Sequence, residues 1–374
     1  MFGHEVHFAF APMEDGDREE MSRFFGDERL HISSYRPPPA LASKSAALWR
    51  RVRRRLGMAS GHTYKIDDWY DPALDSFYRS LADSTHFDVV IAEYAFLSKA
   101  LTCFGSSTMK IIDTHDRFAD RHMMFLAARL PAGWFSTSYS EELKGLRRAD
   151  VIIAIESGER EYFARRLPER TVITVGHIAG ESAPITNWNE RLESTILMVG
   201  ASNPPNLGGL RYILGNVLPR VHARHPKARL LLAGGICTSV PDSPLVQKLG
   251  YVKNIDEVYA KAWIALNPVQ SGSGQSIKAV EALGHSLPLV TTVTGARGLP
   301  ESALPAFIKV QDTDPGAMAN ALVSLLSNAS ERTALSRAAS LYIRDYNKGA
   351  LASLLNVLSN LGKPRAANEL GKIP

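Results

Sequence analysis

The chain has 374 residues, 45% hydrophobic and 22% charged, which is enough for two domains of ordinary size around a sizeable core. No stretch approaches the ~18 uninterrupted apolar residues of a membrane span, no signal peptide follows Met1, and the two cysteines, Cys103 and Cys237, lack metal-ligand spacing; a cytoplasmic protein with two buried, inert thiols is expected. A net charge of +5 and a pI of 9.1 leave acidic partners open, whether nucleic acid, an anionic membrane or a phosphorylated ligand.

Strand-like apolar runs alternate with helical patterns along the chain, which predicts an α/β fold with mostly parallel sheets. The first run is Glu5–Phe10. Next comes Ala47–Leu56, a basic amphipathic helix in which Leu48, Trp49, Val52 and Leu56 share one face while Arg50, Arg51, Arg53, Arg54 and Arg55 crowd the rest. Two readings carry weight here. The helix lies on an anionic membrane, each cation contributing ~1 kcal/mol at best, or it is an ordinary solvated helix with its apolar face in the core. Nucleic acid is the third and weakest reading, since no aromatic stacking platform accompanies the arginines, and no nucleic-acid partner is expected.

The run Asp88–Ala92 ends in Glu93-Tyr94, and Met109–Asp113 ends in Thr114-His115-Asp116. Ligands gather at the carboxyl ends of parallel strands, so Glu93, Tyr94 and His115 are expected at a cleft rim. The local alternatives are a tyrosine packed under a loop and a histidine bridging Asp113 and Asp116. Arg117, Asp120 and Arg121 open the following helix as ion partners. Val151–Ile155 and Val172–Val175 complete the first set of strands, and Gly176-His177 follows as hinge, cleft lining or local packing. The polar, proline-bearing stretch from Gly180 to Asn189 has no periodicity and reads as a linker.

The second set of runs is Thr195–Val199, Arg229–Ala233, Trp263–Asn267, Leu289–Thr292 and Phe307–Val310. Within it lies Gly272-Ser-Gly-Gln-Ser-Ile-Lys278-Ala-Val-Glu281-Ala-Leu-Gly-His-Ser-Leu-Pro288, a small polar turn leading into an amphipathic helix. Glycines let a ligand come close, and a helix start favours a diphosphate through its N–H groups and dipole. Lys278 adds a full charge one turn in. Glu281, three residues on, shares its helix face and can accept hydrogen bonds from ribose hydroxyls. Without its flanks the same block would read as an ordinary strand–loop–helix unit with a surface lysine.

Together with Ile196–Gly200, Asn203-Pro-Pro-Asn206, Ala228–Gly235 and Gly295–Leu299, the block resembles the donor-binding half of family-4 glycosyltransferases of the GT-B fold over residues 195–345. In that family a G-[ST]-G-x-x-x-K-x-x-E-A block precedes x-G-x-P and a strand. The resemblance implies two Rossmann-like doubly wound domains facing a cleft. Residues 1–180 form the acceptor side, 181–190 the linker and 191–345 the nucleotide-sugar domain, with 346–374 a terminal helix returning toward the first domain. It also places Gly3–Phe8 as the second strand of the usual first domain, so that domain is expected to lack its first strand, central and buried in such a sheet.

As the resemblance implies, the chain retains anomeric configuration while moving a sugar from a nucleotide sugar to a glycan or lipid-linked acceptor, with no bound metal or cofactor, in surface-polysaccharide assembly. Lys278 and His115 are the implied catalytic residues. Asn203, Val252, Gly272, Ser273, Gly274, Lys278 and Glu281 bind the donor, Glu93 and Tyr94 stand on the acceptor side, and Trp49, Arg50, Arg51, Arg53, Arg54 and Arg55 face a membrane. The sequence departs from the family twice. The first of two paired glutamates falls at Ser273, and the basic residue after the first second-domain strand is replaced by Gly200-Ala-Ser-Asn203. Two alternatives stand beside transfer: a GT-B sugar-nucleotide epimerase, which needs carboxylates and histidines in the cleft, and a non-catalytic or truncated nucleotide-sugar binding protein.

Overall fold

The computed structural model describes residues 3–11, 18–35, 44–127, 135–241, 243–301 and 305–359. Met1 and the polar end after Leu361 lie outside them. All strand pairings between named strands are parallel.

In the first half, β1 (Phe8–Phe10) and β2 (Leu30–Ile32) form a two-stranded sheet, while β3 (Val89–Glu93), β4 (Met109–Asp113), β5 (Val151–Ala154) and β6 (Thr171–Thr174) form a separate sheet in that order. β1 is therefore not hydrogen-bonded to β3. In the second half, β7 (Thr195–Val199), β8 (Arg229–Ala233), β9 (Val246–Gly250), β10 (Ile264–Asn267), β11 (Leu289–Thr292) and β12 (Ile308–Val310) form one sheet ordered β12-β11-β10-β7-β8-β9.

Strand alternation builds this second core. Ile196, Met198, Leu230, Leu232, Ile264 and Leu266 face Leu210, Val217 and Val221 on one side. Leu197, Leu231, Ala265 and Leu289 face Tyr259, Val280 and Leu283 on the other. Both faces are covered, which is why these strands read as unbroken apolar runs. A fully buried leucine such as Leu231 is worth roughly 1.5–3 kcal/mol in transfer alone, and Leu231→Ala would cost about 2–5 kcal/mol once the cavity is counted.

The first half repeats the arrangement with fewer strands. Ile112, Ile152 and Ala154 pack with Phe96, Phe118, Phe135 and Leu146. On the opposite face, Ile111, Val151 and Ile153 meet Leu354 and Val357. Those last two belong to a single helix, Ala329–Leu358, whose Ala339, Tyr342 and Ile343 pack into the second-half core. The expected break near Tyr346 is absent, because nothing in Leu341–Gly349 interrupts the helical hydrogen bonding. Residues 175–187 carry no regular element and are tied to this helix through Ser336 Oγ, which accepts from the Ile185 N–H, and Asn347, which donates to the Ala179 carbonyl.

The basic helix spans Lys44–Arg55, but the reading that buries its apolar face is overturned: Leu48, Trp49, Val52 and Leu56 are exposed. Cys103 and Cys237 are both buried and unpaired. Among the described residues no helix is long and apolar enough to cross a membrane.

Candidate active site

The cleft is assembled where carboxyl ends of strands from both halves meet. On the second-half side, β10 runs through Asn267 into the turn Gly272-Ser273-Gly274, with φ of 143° at Gly272 and 65° at Gly274, values that disfavour a side chain. The helix Ile277–Gly284 follows with no side-chain cap, since Ser276 Oγ instead accepts from Asn267 Nδ2 at 2.7 Å. The first-turn dipole is thereby left uncapped by any side chain, although the Ser276 N–H is spent on the Arg297 carbonyl at 3.1 Å.

Lys278 projects from this helix and donates to Asn206 Oδ1. Burial pushes its ammonium down to about 8, with the nearby Arg297 cation adding to the shift and Glu281 opposing it. Asn206 is held in turn by its Nδ2 on the Ala201 carbonyl at 2.9 Å, and its N–H donates to Asn203 Oδ1 at 3.1 Å. Asn203 thus caps the helix Pro204–Tyr212. Glu281 accepts from Tyr259 Oη at 3.4 Å and lies 4.0 Å from His177 Nε2. Burial raises its carboxyl, while His177, Tyr259 and Lys278 pull it back. Val252 is partly buried against the second-half core, beside Gly250 and the 88%-exposed Tyr251.

Arg297, one strand further on, was not singled out by sequence. Its Nε donates to the Gly274 carbonyl at 3.2 Å, Nη1 to Thr294 at 2.5 Å and Nη2 to Ser273 at 3.2 Å. It fixes the glycine turn from below and brings a second cation beside Lys278, with no carboxylate in ion-pair contact among the described residues. The signal was present: an arginine in a glycine-flanked turn directly after a buried strand. Gln275 was also missed. It is buried, accepts from the His177 N–H at 2.7 Å and donates to Tyr346 Oη at 2.8 Å and the Gly298 carbonyl at 2.9 Å.

On the first-half side, the parallel register sets Glu93 beside Asp113. His115 donates from Nε2 to Glu93 Oε2 and stacks on Tyr94 at 4.2 Å. Burial lowers the His115 pKa, but Glu93 and Asp113 outweigh it and leave the imidazole raised; burial raises Asp113. Donor atoms of Glu93, Asp113 and His115 all lie within 4.8 Å of one another. Glu93 and His115 are thus a hydrogen-bonded pair at the ends of neighbouring strands. Tyr94, His115 and Asp120 have φ of 68°, 57° and 54°, left-handed backbone that costs energy outside glycine and gathers at functional sites.

The loop after His115 is held by buried carboxylates. Glu142 Oε1 accepts from the Phe118 and Ala119 N–H groups at 2.6 and 3.0 Å, and Glu159 Oε1 from Arg117 at 3.0 Å. Burial pushes these two up to about 7 and about 8. The cleft closes through Asp116, whose Oδ2 accepts from Ser273 Oγ at 2.6 Å and Arg121 Nε at 2.9 Å. A carboxylate therefore stands next to residue 273, but it arrives from the other half. His115, Glu93, Tyr94, Gly272, Ser273, Gly274, Lys278 and Glu281 thus belong to one cleft system, and the arginine helix lies apart from it.

A family model described as glycosyl transferases group 1 matches residues 193–328. Anabaena HepE, solved in complex with UDP and glucose, superposes with a TM-score of 0.60 at 13% identity, covering 94% of this chain and 90% of that one. A UDP-forming trehalose-phosphate synthase from Burkholderia xenovorans gives 0.59 at 15%, covering 87% and 84%. The pneumococcal O-GlcNAc transferase GtfA, with UDP and GlcNAc, gives 0.56 at 13%, covering 78% of this chain and 60% of that one. Against S. aureus TarM the chain spans 57% of that protein's length. No curated protein matches the sequence. Residues 193–328 thus match the group 1 glycosyl transferase model, in a chain with the GT-B fold built on two parallel sheets.

Proposed function

We propose that the chain is a retaining glycosyltransferase that takes a sugar from a nucleoside diphosphate, uridine being the base favoured by the UDP in the similar structures, and passes it to a hydroxyl of a glycan or lipid-linked acceptor. The observation that carries this reading is the pair of cations, Lys278 and Arg297, at a glycine turn leading into an uncapped helix. As the bond from sugar C1 to the β-phosphate oxygen breaks, its electron pair goes to that oxygen. The two cations and the helix dipole offset that developing charge, the kind of preorganised electrostatics that dominates many enzymes. The acceptor oxygen bonds to C1 from the same face, and its proton passes to the departing phosphate. Glu281 binds the ribose hydroxyls, and His115 with Glu93 orients the sugar and acceptor. A place in surface-polysaccharide assembly belongs to the same proposal.

A second reading draws on a specific observation. Glu93, Asp113, His115 and Asp116 together make the acid–base set that a sugar-nucleotide epimerase needs. The two part on product. With a panel of UDP-sugars and a mixed acceptor library, transfer releases UDP and yields a glycosylated acceptor, and Lys278→Ala removes it. Epimerised UDP-sugar formed without acceptor would overturn transfer. Binding of UDP with no turnover in either assay would reduce the chain to a binding protein.

A further inference from the structure

The helix Lys44–Arg55 turns two of its arginines, Arg50 and Arg54, toward the protein. Arg50 stacks over the Tyr64 ring at 4.3 Å and lies 3.5 Å from Asp68, and Arg54 Nε donates to the Gly61 carbonyl at 2.8 Å. Leu48, Trp49, Val52 and Leu56 are left 60%, 63%, 37% and 70% exposed. An amphipathic helix of a globular protein faces its apolar stripe to the core; this one faces it to solvent. Arg51, Arg53 and Arg55 flank the stripe, exposed and without an acidic partner among the described residues.

The surface reaches toward the cleft. The helix Arg121–Ala127 packs on the same short turn, Ala59–His62, and leaves Met123 and Leu126 exposed. Its first residue, Arg121, donates to Ser273 Oγ at 3.3 Å inside the cleft. Exposed apolar groups thus occur on two elements that share the turn Ala59–His62, and one of these elements begins at the cleft.

We infer that this face docks on an anionic lipid bilayer and holds the cleft at the membrane. Apolar side chains with a tryptophan enter the headgroup boundary, and flanking cations meet anionic lipid. A second copy of the chain is the poorer occupant, because a symmetric contact would set Arg51, Arg53 and Arg55 against their own copies. Together with the transferase reading, on which this clause alone rests, docking assigns the acceptor to a lipid carrier.

The test is sedimentation of the full chain with vesicles of phosphatidylglycerol and phosphatidylcholine, and with phosphatidylcholine alone, while UDP affinity is measured on the same samples. Binding is expected at least about tenfold stronger on the anionic vesicles, lowered at least about tenfold by Trp49→Glu with Leu56→Glu, and severalfold by Arg51→Glu with Arg53→Glu. Unchanged UDP affinity in these variants shows that they fold. No vesicle binding, equal binding to neutral vesicles, or undiminished binding in the Trp49/Leu56 variant overturns the inference. So does a lipid-free dimer that Trp49→Glu dissolves, which would give the face to a second copy. Vesicle binding with no UDP binding would leave docking intact and sink only the transferase reading.

Discussion

In the second-half sheet, β10 is buried at every position from Ile264 to Asn267, whereas β3 in the first half leaves Ile91 46% exposed and β1 has no fully buried residue. The donor loop hangs from the first of these settings and Glu93 from the second. Deep burial on both faces fixes a loop that, under the proposed function, holds a diphosphate in one geometry. A half-covered edge leaves the opposite wall able to adjust, as expected of regions with few buried contacts. The division of labour is therefore between a preorganised charge site and a compliant wall.

The largest expected effect separates the two walls chemically. Lys278→Ala should weaken UDP binding by roughly 10- to 100-fold, since hydrogen bonds to charged groups contribute about 1.5–3 kcal/mol; His115→Ala should leave UDP affinity nearly unchanged and reduce turnover instead. Calorimetry and a UDP-release assay on both variants check this, and equal losses in both assays would dissolve the distinction. Hydrogen exchange should show the same split. Amides of β8 and β10 should exchange at least about a hundredfold more slowly than those of β1, β2 and β3, and uniform protection would break the comparison.

A third test uses pH. The Lys278 ammonium loses its proton near 8 in the free protein, and only the protonated form attracts diphosphate. UDP affinity should stay level below that value and fall toward roughly tenfold per pH unit above it, with proton uptake on binding. A flat profile to pH 10 would remove Lys278 from the site. The buried carboxyl Glu142 of the first half also loses its contribution as pH rises, in folding rather than in binding. Folding raises Glu142 from 4.5 to about 7, so the folded state holds the proton more tightly. Stability from this group is full below 4.5 and is lost as pH rises through about 7. Glu142→Gln should flatten that slope in melting curves across the same window. The smallest effect belongs to Ser273→Ala. It deletes one hydroxyl donor to Asp116 but keeps Arg121 on that carboxylate, costing about 1 kcal/mol, or severalfold in turnover.

Much of the second half was legible because its strands are buried on both faces and its motif is local in sequence. Ile196–Val199 and Arg229–Ala233 could hardly be anything else, and Lys278 and Glu281 fall within one helical turn. β2 was missed because Leu30-His31-Ile32 is too short to show a period. The carboxylate beside Ser273 comes from Asp116, 157 residues away, and no spacing rule spans that distance. The arginine helix had a readable stripe, yet periodicity states which residues share a face and not which way the face turns. Its inward side was decided by Asp68, Tyr64 and Gly61, a tertiary choice.

The helix Ala329–Leu358 is a straight-through rod of 30 residues, about 45 Å long, bolted at one end to β5 and β6 and along its middle to the second-half core. A rod packed against both halves is an element they share, and any movement that slid one half along it would shear packed side chains. Tyr346 sits on that rod where a Cβ added to Gly176 would come within 2.0 Å of its hydroxyl, and the same hydroxyl holds Gln275 of the glycine turn. One phenol thus ties the end of the first half, the long helix and the glycine turn together, so that a change at Tyr346 would be felt at all three.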